Sequence, residues 1–109
     1  MTEPLRILIA DDHVLFRRGV AGVLASRADL MVVGEASDGL EAVALARETR
    51  PDLILMDIFL KGERDGVEAA KAILRKTSLP IVYMTAATDR ETFERAKQTG
   101  PFGYILKPV

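Results

Sequence analysis

Residues 5–12, LRILIADD, and residues 52–57, DLILMD, decide the fold. In each, an apolar run dense in branched side chains stops at aspartate, with little alternation of polar and apolar positions. A strand with one wet face alternates, whereas a strand buried on both faces of a parallel sheet does not. Three more runs read the same way: Leu30–Ala36, Ile81–Met84 and Phe102–Leu106. With Leu5–Ala10 and Leu53–Met56 they make five expected strands. Helices must cover them, and the intervening segments have helical spacing. Phe16, Val20, Val23 and Leu24 form one stripe, an Ala-rich stretch runs from Leu40 to Glu48, and Val67, Ala70, Ile73 and Leu74 form another. Arg90–Thr99 carries only Phe93 and Ala96 as an apolar stripe. The pairs Asp38-Gly39, Arg50-Pro51, Asp65-Gly66, Leu79-Pro80 and Gly100-Pro101 fall between these elements, where turn chemistry belongs.

Strands alternating with crossover helices imply right-handed βαβ units, hence an α/β fold with an open parallel sheet and helices on both faces. The natural strand order is 2-1-3-4-5. In such sheets the site lies beyond the carboxyl ends of the strands, where the order reverses between the first and third.

At 109 residues, 49% hydrophobic and 28% charged, the chain is expected to form a single domain over residues 1–109. A net charge of −1 gives no basic field for nucleic acid or an anionic membrane, so neither is an expected partner. The absence of cysteine rules out disulfides, thiolate metal sites and thiol nucleophiles. The apolar run at the amino terminus is too short for a signal sequence or a membrane span, and a cytoplasmic protein is the default.

The first expected strand ends in Asp11-Asp12, the third in Asp57, the fourth in Thr85 and the fifth in Lys107. Singly, each has an ordinary explanation. Aspartates cap helices or close turns, a strand-end threonine bonds backbone, and a lysine is a surface residue. Jointly they form a compatible set. Carboxylates drawn together from neighbouring strands repel unless a cation compensates them. Mg²⁺ suits an all-oxygen site, with Mn²⁺ as a substitute, and lysine can grip a phosphoryl oxygen as a point charge. Asp57 is then a candidate phosphoryl acceptor. His13, just inside the first helix, is conceivable as a phosphoryl acceptor or metal ligand, but its position reads as a rim residue and it is assigned no role. Phe59 places a bulky apolar group two residues after Asp57, where it would restrict water and slow loss of a phosphoryl group.

ILIADDH, DLILMDIFL, VYMTAA and GYILKP, in that order and spacing, resemble the receiver domain of two-component response regulators from Leu5 to the end of the chain. The resemblance implies a flavodoxin-like fold, and the 2-1-3-4-5 order rests on it. It also implies Asp57 as phosphoacceptor, Asp12 as a direct Mg²⁺ ligand, Asp11 as an acid acting largely through bound water, and the Phe59 backbone carbonyl as the remaining protein ligand. Lys107 would contact the phosphoryl group, Thr85 would move to hydrogen-bond it, and Tyr104 would rotate with that movement, ahead of a cis Lys107–Pro108 bond. The implied partner is a histidine kinase or phosphotransfer protein. DDHVLFRRGV resembles receivers joined to helix-turn-helix outputs, while KGERDGVEAA and ERAKQTGPFGYILKP resemble receivers associated with sensory kinases. The family normally adds a fifth helix, and this sequence stops at Val109, so self-association over exposed sheet surface is expected. The alternatives are an adaptor that binds partners without phosphorylation and a hydrolase using Asp57. A flavodoxin-type cofactor binder is disfavoured, since no Gly/Ser/Thr-rich phosphate loop follows the first strand.

Overall fold

A computed structural model describes residues 3–62, 64–86 and 90–107. The element order is β1 (Leu5–Ala10), α1 (Val14–Ala25), β2 (Leu30–Ala36), α2 (Gly39–Thr49), β3 (Leu53–Asp57), α3 (Gly66–Leu74), β4 (Ile81–Thr85), α4 (Arg90–Lys97) and β5 (Gly103–Leu106). All neighbouring strands pair in parallel, in the order β2-β1-β3-β4-β5. The expected cis Lys107–Pro108 bond lies outside the described residues.

The lack of alternation within the strands has a direct cause. Leu8, Ala10, Ile54, Met56, Ile81 and Tyr83 face a core built with α2, α3 and Ala96 of α4. Their neighbours Ile7, Ile9, Leu55 and Met84 face a second core, to which α1 contributes Phe16, Val20, Ala21 and Leu24. Side chains at successive strand positions go to opposite faces, and here both faces are apolar.

β3 and β4 each run one residue beyond the apolar stretch, because Asp57 and Thr85 keep extended backbone at the end of the ladder. β5 begins at Gly103 and not at Phe102, whose N–H still bonds the Ile81 carbonyl at 2.8 Å. α4 stops at Lys97, short of Thr99. The Thr99 hydroxyl turns back to the Ala96 carbonyl at 2.6 Å, and Gly100 follows at φ +69°, a left-handed conformation that ends a helix.

α2 and α3 start on aspartate caps. Asp38 accepts from the Glu41 N–H at 2.8 Å and Asp65 from the Glu68 N–H at 2.9 Å. α3 approaches the end of β3 so closely that its first residue must be glycine. A Cβ on Gly66 would overlap the Asp57 carbonyl, and the Gly66 N–H bonds the Ile58 carbonyl at 2.8 Å. Among the described residues no helix is long and apolar enough to cross a membrane.

Candidate functional site

Parallel register brings the strand ends to one level. Ala10 pairs with Met56, Asp57 with Met84, and Thr85 with Leu106, so Asp11, Asp57, Thr85 and Lys107 emerge side by side. Asp11, Asp57, Thr85 and Lys107 are also the buried polar or charged residues among those described. In a molecule of this size, such a concentration at one edge points to a site and not to packing.

The acids of β1 and β3 are held by the same local device. Asp11 Oδ1 accepts from the His13 N–H at 2.8 Å and Asp57 Oδ1 from the Phe59 N–H at 3.1 Å, each two residues downstream. The residue that caps α1 is His13, which makes no side-chain cap bond. The helix-capping explanation of Asp11-Asp12 is therefore not the one the fold uses. The outer oxygens of Asp11 and Asp57 meet one cation. Lys107 Nζ lies 2.9 Å from Asp11 Oδ2 and 3.2 Å from Asp57 Oδ2.

Burial pushes the Asp57 carboxyl above the usual carboxylate range. The Phe59 N–H pulls it back, the Asp11 charge pushes it further up, and Lys107 opposes that rise. Burial on its own would lower the Lys107 ammonium, but the hydrogen bond to Asp11 and the charges of Asp57 and Asp11 outweigh it, leaving the lysine above its ordinary value. The lysine is the internal counter-ion of the pocket.

Asp12 is placed differently. Its side chain is 9% exposed, and among the described residues its Oδ1 is buried without a hydrogen-bond partner and its nearest cation is Lys61 Nζ, 3.8 Å from Oδ2. Ligand atoms of Asp11, Asp12, His13 and Asp57 all lie within 4.8 Å of one another. An orphaned carboxylate oxygen beside further carboxylates suits a hard divalent cation, so the three acids of this set fit Mg²⁺.

The remaining expected residues fall as follows. Thr85 is buried at the end of β4, and its carbonyl accepts the Lys107 N–H at 2.9 Å. Tyr104 stacks on Phe93 of α4 at 4.7 Å and, further off, on Tyr83 at 6.1 Å. Among the described residues its hydroxyl is buried without a partner. Phe59 presents its N–H to Asp57, and the residue is 43% exposed.

Two participants carried no usable signal in the sequence. His13, expected at the rim, is 68% exposed, yet its Nδ1 reaches 3.1 Å from Lys107 Nζ. Phe16, part of the apolar stripe of α1, lies with its ring centre 4.7 Å from the same ammonium. The partners in both contacts are some ninety residues apart in the chain, so no local pattern could have shown them. Arg17 also braces the turn, donating to the Asp11 carbonyl at 2.7 Å and to Glu35 at 3.1 Å.

The family model for the response regulator receiver domain matches residues 7–109. The transcriptional regulatory protein PdtaR of Mycobacterium tuberculosis is 44% identical over 105 residues, covering 96% of this chain and 50% of that protein. The transcriptional regulatory protein LiaR of Bacillus subtilis is 43% identical over 104 residues, covering 94% and 49%. The chain thus spans about half the length of the curated relatives it matches. The signal receiver domain of a modulated diguanylate cyclase from Desulfovibrio desulfuricans G20 superposes with a TM-score of 0.90 at 41% identity, covering 98% of this chain and 84% of that one.

Proposed function

The chain belongs to the response regulator receiver family, and from that premise we propose that Asp57 is the residue that takes the phosphoryl group. Receivers are phosphoaccepting signalling switches of two-component systems. The observation that carries the assignment is the convergence of Asp11 and Asp57 on the Lys107 ammonium, with the unpartnered Asp12 oxygen beside them.

In the proposed reaction an Asp57 carboxylate oxygen attacks the phosphorus of a phosphohistidine. The P–N bond breaks, and its electron pair leaves with the donor imidazole. Asp12, Asp57 and the Phe59 carbonyl would hold Mg²⁺, or Mn²⁺ in its place, with Asp11 behind them, and the ion's charge would offset that of the phosphoryl oxygens. Asp12 suits direct ligation because its oxygen is free, whereas both Asp11 carboxylate oxygens are engaged. Lys107 would exchange Asp57 Oδ2 for a phosphoryl oxygen. Thr85 would bring its hydroxyl to another, and Tyr104 would move with it. The new hydrogen bonds accommodate an added charge of about −1.5 to −2 in an already acidic pocket.

The readout surface would be α4 with β5, since Tyr104 of β5 touches Phe93 of α4 and any rotation of Tyr104 must repack that contact. A histidine kinase or phosphotransfer protein would be the donor, and residues 1–109 would act as one receiver unit for an output carried elsewhere. We also propose self-association, on the ground of exposed apolar residues of α1 and β5.

The test is incubation with Mg²⁺ and a small phosphodonor, followed by intact-mass measurement. The expected result is one base-labile phosphoryl adduct that needs Mg²⁺ and is absent from Asp57→Ala. An adduct that survives in Asp57→Ala would overturn the assignment. No adduct at all would favour the adaptor reading, in which the Lys107 bridge already neutralises the pocket.

A further inference from the structure

His13 adds a nitrogen to a pocket otherwise lined with oxygen. Its Nδ1 lies 3.1 Å from Lys107 Nζ and 3.4 Å from Asp11 Oδ1. An ammonium offers only donors, so Nδ1 must accept from it. That assigns the ring proton to Nε2 and aims the Nδ1 lone pair into the pocket. The Lys107 ammonium thus occupies a cage of two carboxylate oxygens and one ring nitrogen, with the Phe16 ring against it. In the same cluster the Asp12 side chain is nine-tenths buried and its Oδ1 has no partner among the described residues. His13 is the single histidine of the sequence and there is no cysteine, so no other side chain offers nitrogen or sulfur of this kind to a metal.

We propose that His13 is a metal ligand, and that through it this pocket takes a borderline divalent cation such as Ni²⁺, Co²⁺ or Zn²⁺ as well as a hard one. The proposal rests on the cation site assigned above and extends it by one residue. Imidazole binds borderline ions strongly and contributes little to Mg²⁺, which prefers oxygen and keeps its waters. The lone pair that now faces Lys107 would face the metal once the ammonium withdraws, with Asp12 and the carboxylates of Asp11 and Asp57 supplying oxygen. His13 would then set which class of metal the pocket holds, while the acids set whether it holds one.

Calorimetric titrations of the tag-free chain with Ni²⁺, and separately with Mg²⁺, would compare wild type with His13→Ala and His13→Gln. Ni²⁺ affinity is expected to fall in both variants on the order of tenfold or more, while Mg²⁺ affinity stays within about twofold. In wild type, the imidazole ¹⁵N signals read in a Zn²⁺ titration should show Nδ1 moving and Nε2 keeping its proton. Unchanged Ni²⁺ affinity in both variants, or a stationary Nδ1 signal, with Mg²⁺ still bound, would overturn the ligand assignment and leave the acidic site standing. Failure of wild type to bind either Mg²⁺ or Ni²⁺ would remove both together.

Discussion

Asp57 sits where its charged form is disfavoured, chiefly through burial and secondarily through the charge of Asp11. A carboxyl whose folded pKa is raised is most compatible with folding below its unfolded value, about 3.9, and loses that compatibility as pH rises through the folded value. Asp57→Asn, which mimics the neutral acid, should therefore melt at a higher temperature than wild type at pH 7. The gap should close as pH falls toward the unfolded carboxylate range and narrow when Mg²⁺ is added. Melting curves across pH check this, and an Asn variant less stable at pH 7 would contradict it. Tyr104 offers a second case. Its hydroxyl is buried without a partner among the described residues, so Tyr104→Phe should raise stability by about 1 kcal/mol. The ring keeps its stacking on Phe93, and denaturant titration reads the difference.

At the scale of elements, the start of α3 supports the acceptor from behind. Gly66 touches the Asp57 peptide, Asp65 caps the helix, and Arg95 of α4 reaches both Asp65 and Glu68 at 3.2 Å. The Arg95 pairs are about one-third exposed or more, so they contribute little. The glycine matters more. Gly66→Ala forces α3 away from β3 and should cost about 1–3 kcal/mol, the usual range for overpacking. Because the displaced atom is the Asp57 carbonyl, phosphoryl uptake should slow as well. A variant with wild-type melting and uptake would show that α3 yields without moving the acceptor.

Across the whole molecule the cores on the two sides of the sheet are unequal. One is sealed with residues of α2, α3 and α4, while among the described residues the other has α1 as its helical contributor. On α1, Leu15 is 90% exposed and Val23 69%, and on β5 Leu106 is 77% exposed. Burying one such side chain is worth about 1.5–3 kcal/mol. The mass measured by sedimentation should accordingly rise with concentration. Leu15→Lys with Val23→Lys should move that rise to at least about tenfold higher concentration. A constant monomer mass for wild type would sink the self-association proposal.

The sequence by itself determined the elements, their parallel arrangement and the acids at the strand ends. Those depend on short-range properties: which side chains are apolar on successive positions, and where a run stops at Asp11, Asp57, Thr85 or Lys107. The strand order came from the resemblance and not from the spacing, and the register confirms it. The resemblance already gave Asp11 and Asp12 different roles, and the tertiary structure supplies a physical difference between them. One is engaged through both carboxylate oxygens and the other keeps an oxygen free, a difference set by Lys107 arriving from the far end of the chain. The same long-range closure brought His13 and Phe16 to that ammonium. Local pattern records burial and turns, whereas the direction of a lone pair or the partner of a charge is decided by residues the chain brings together only when it folds.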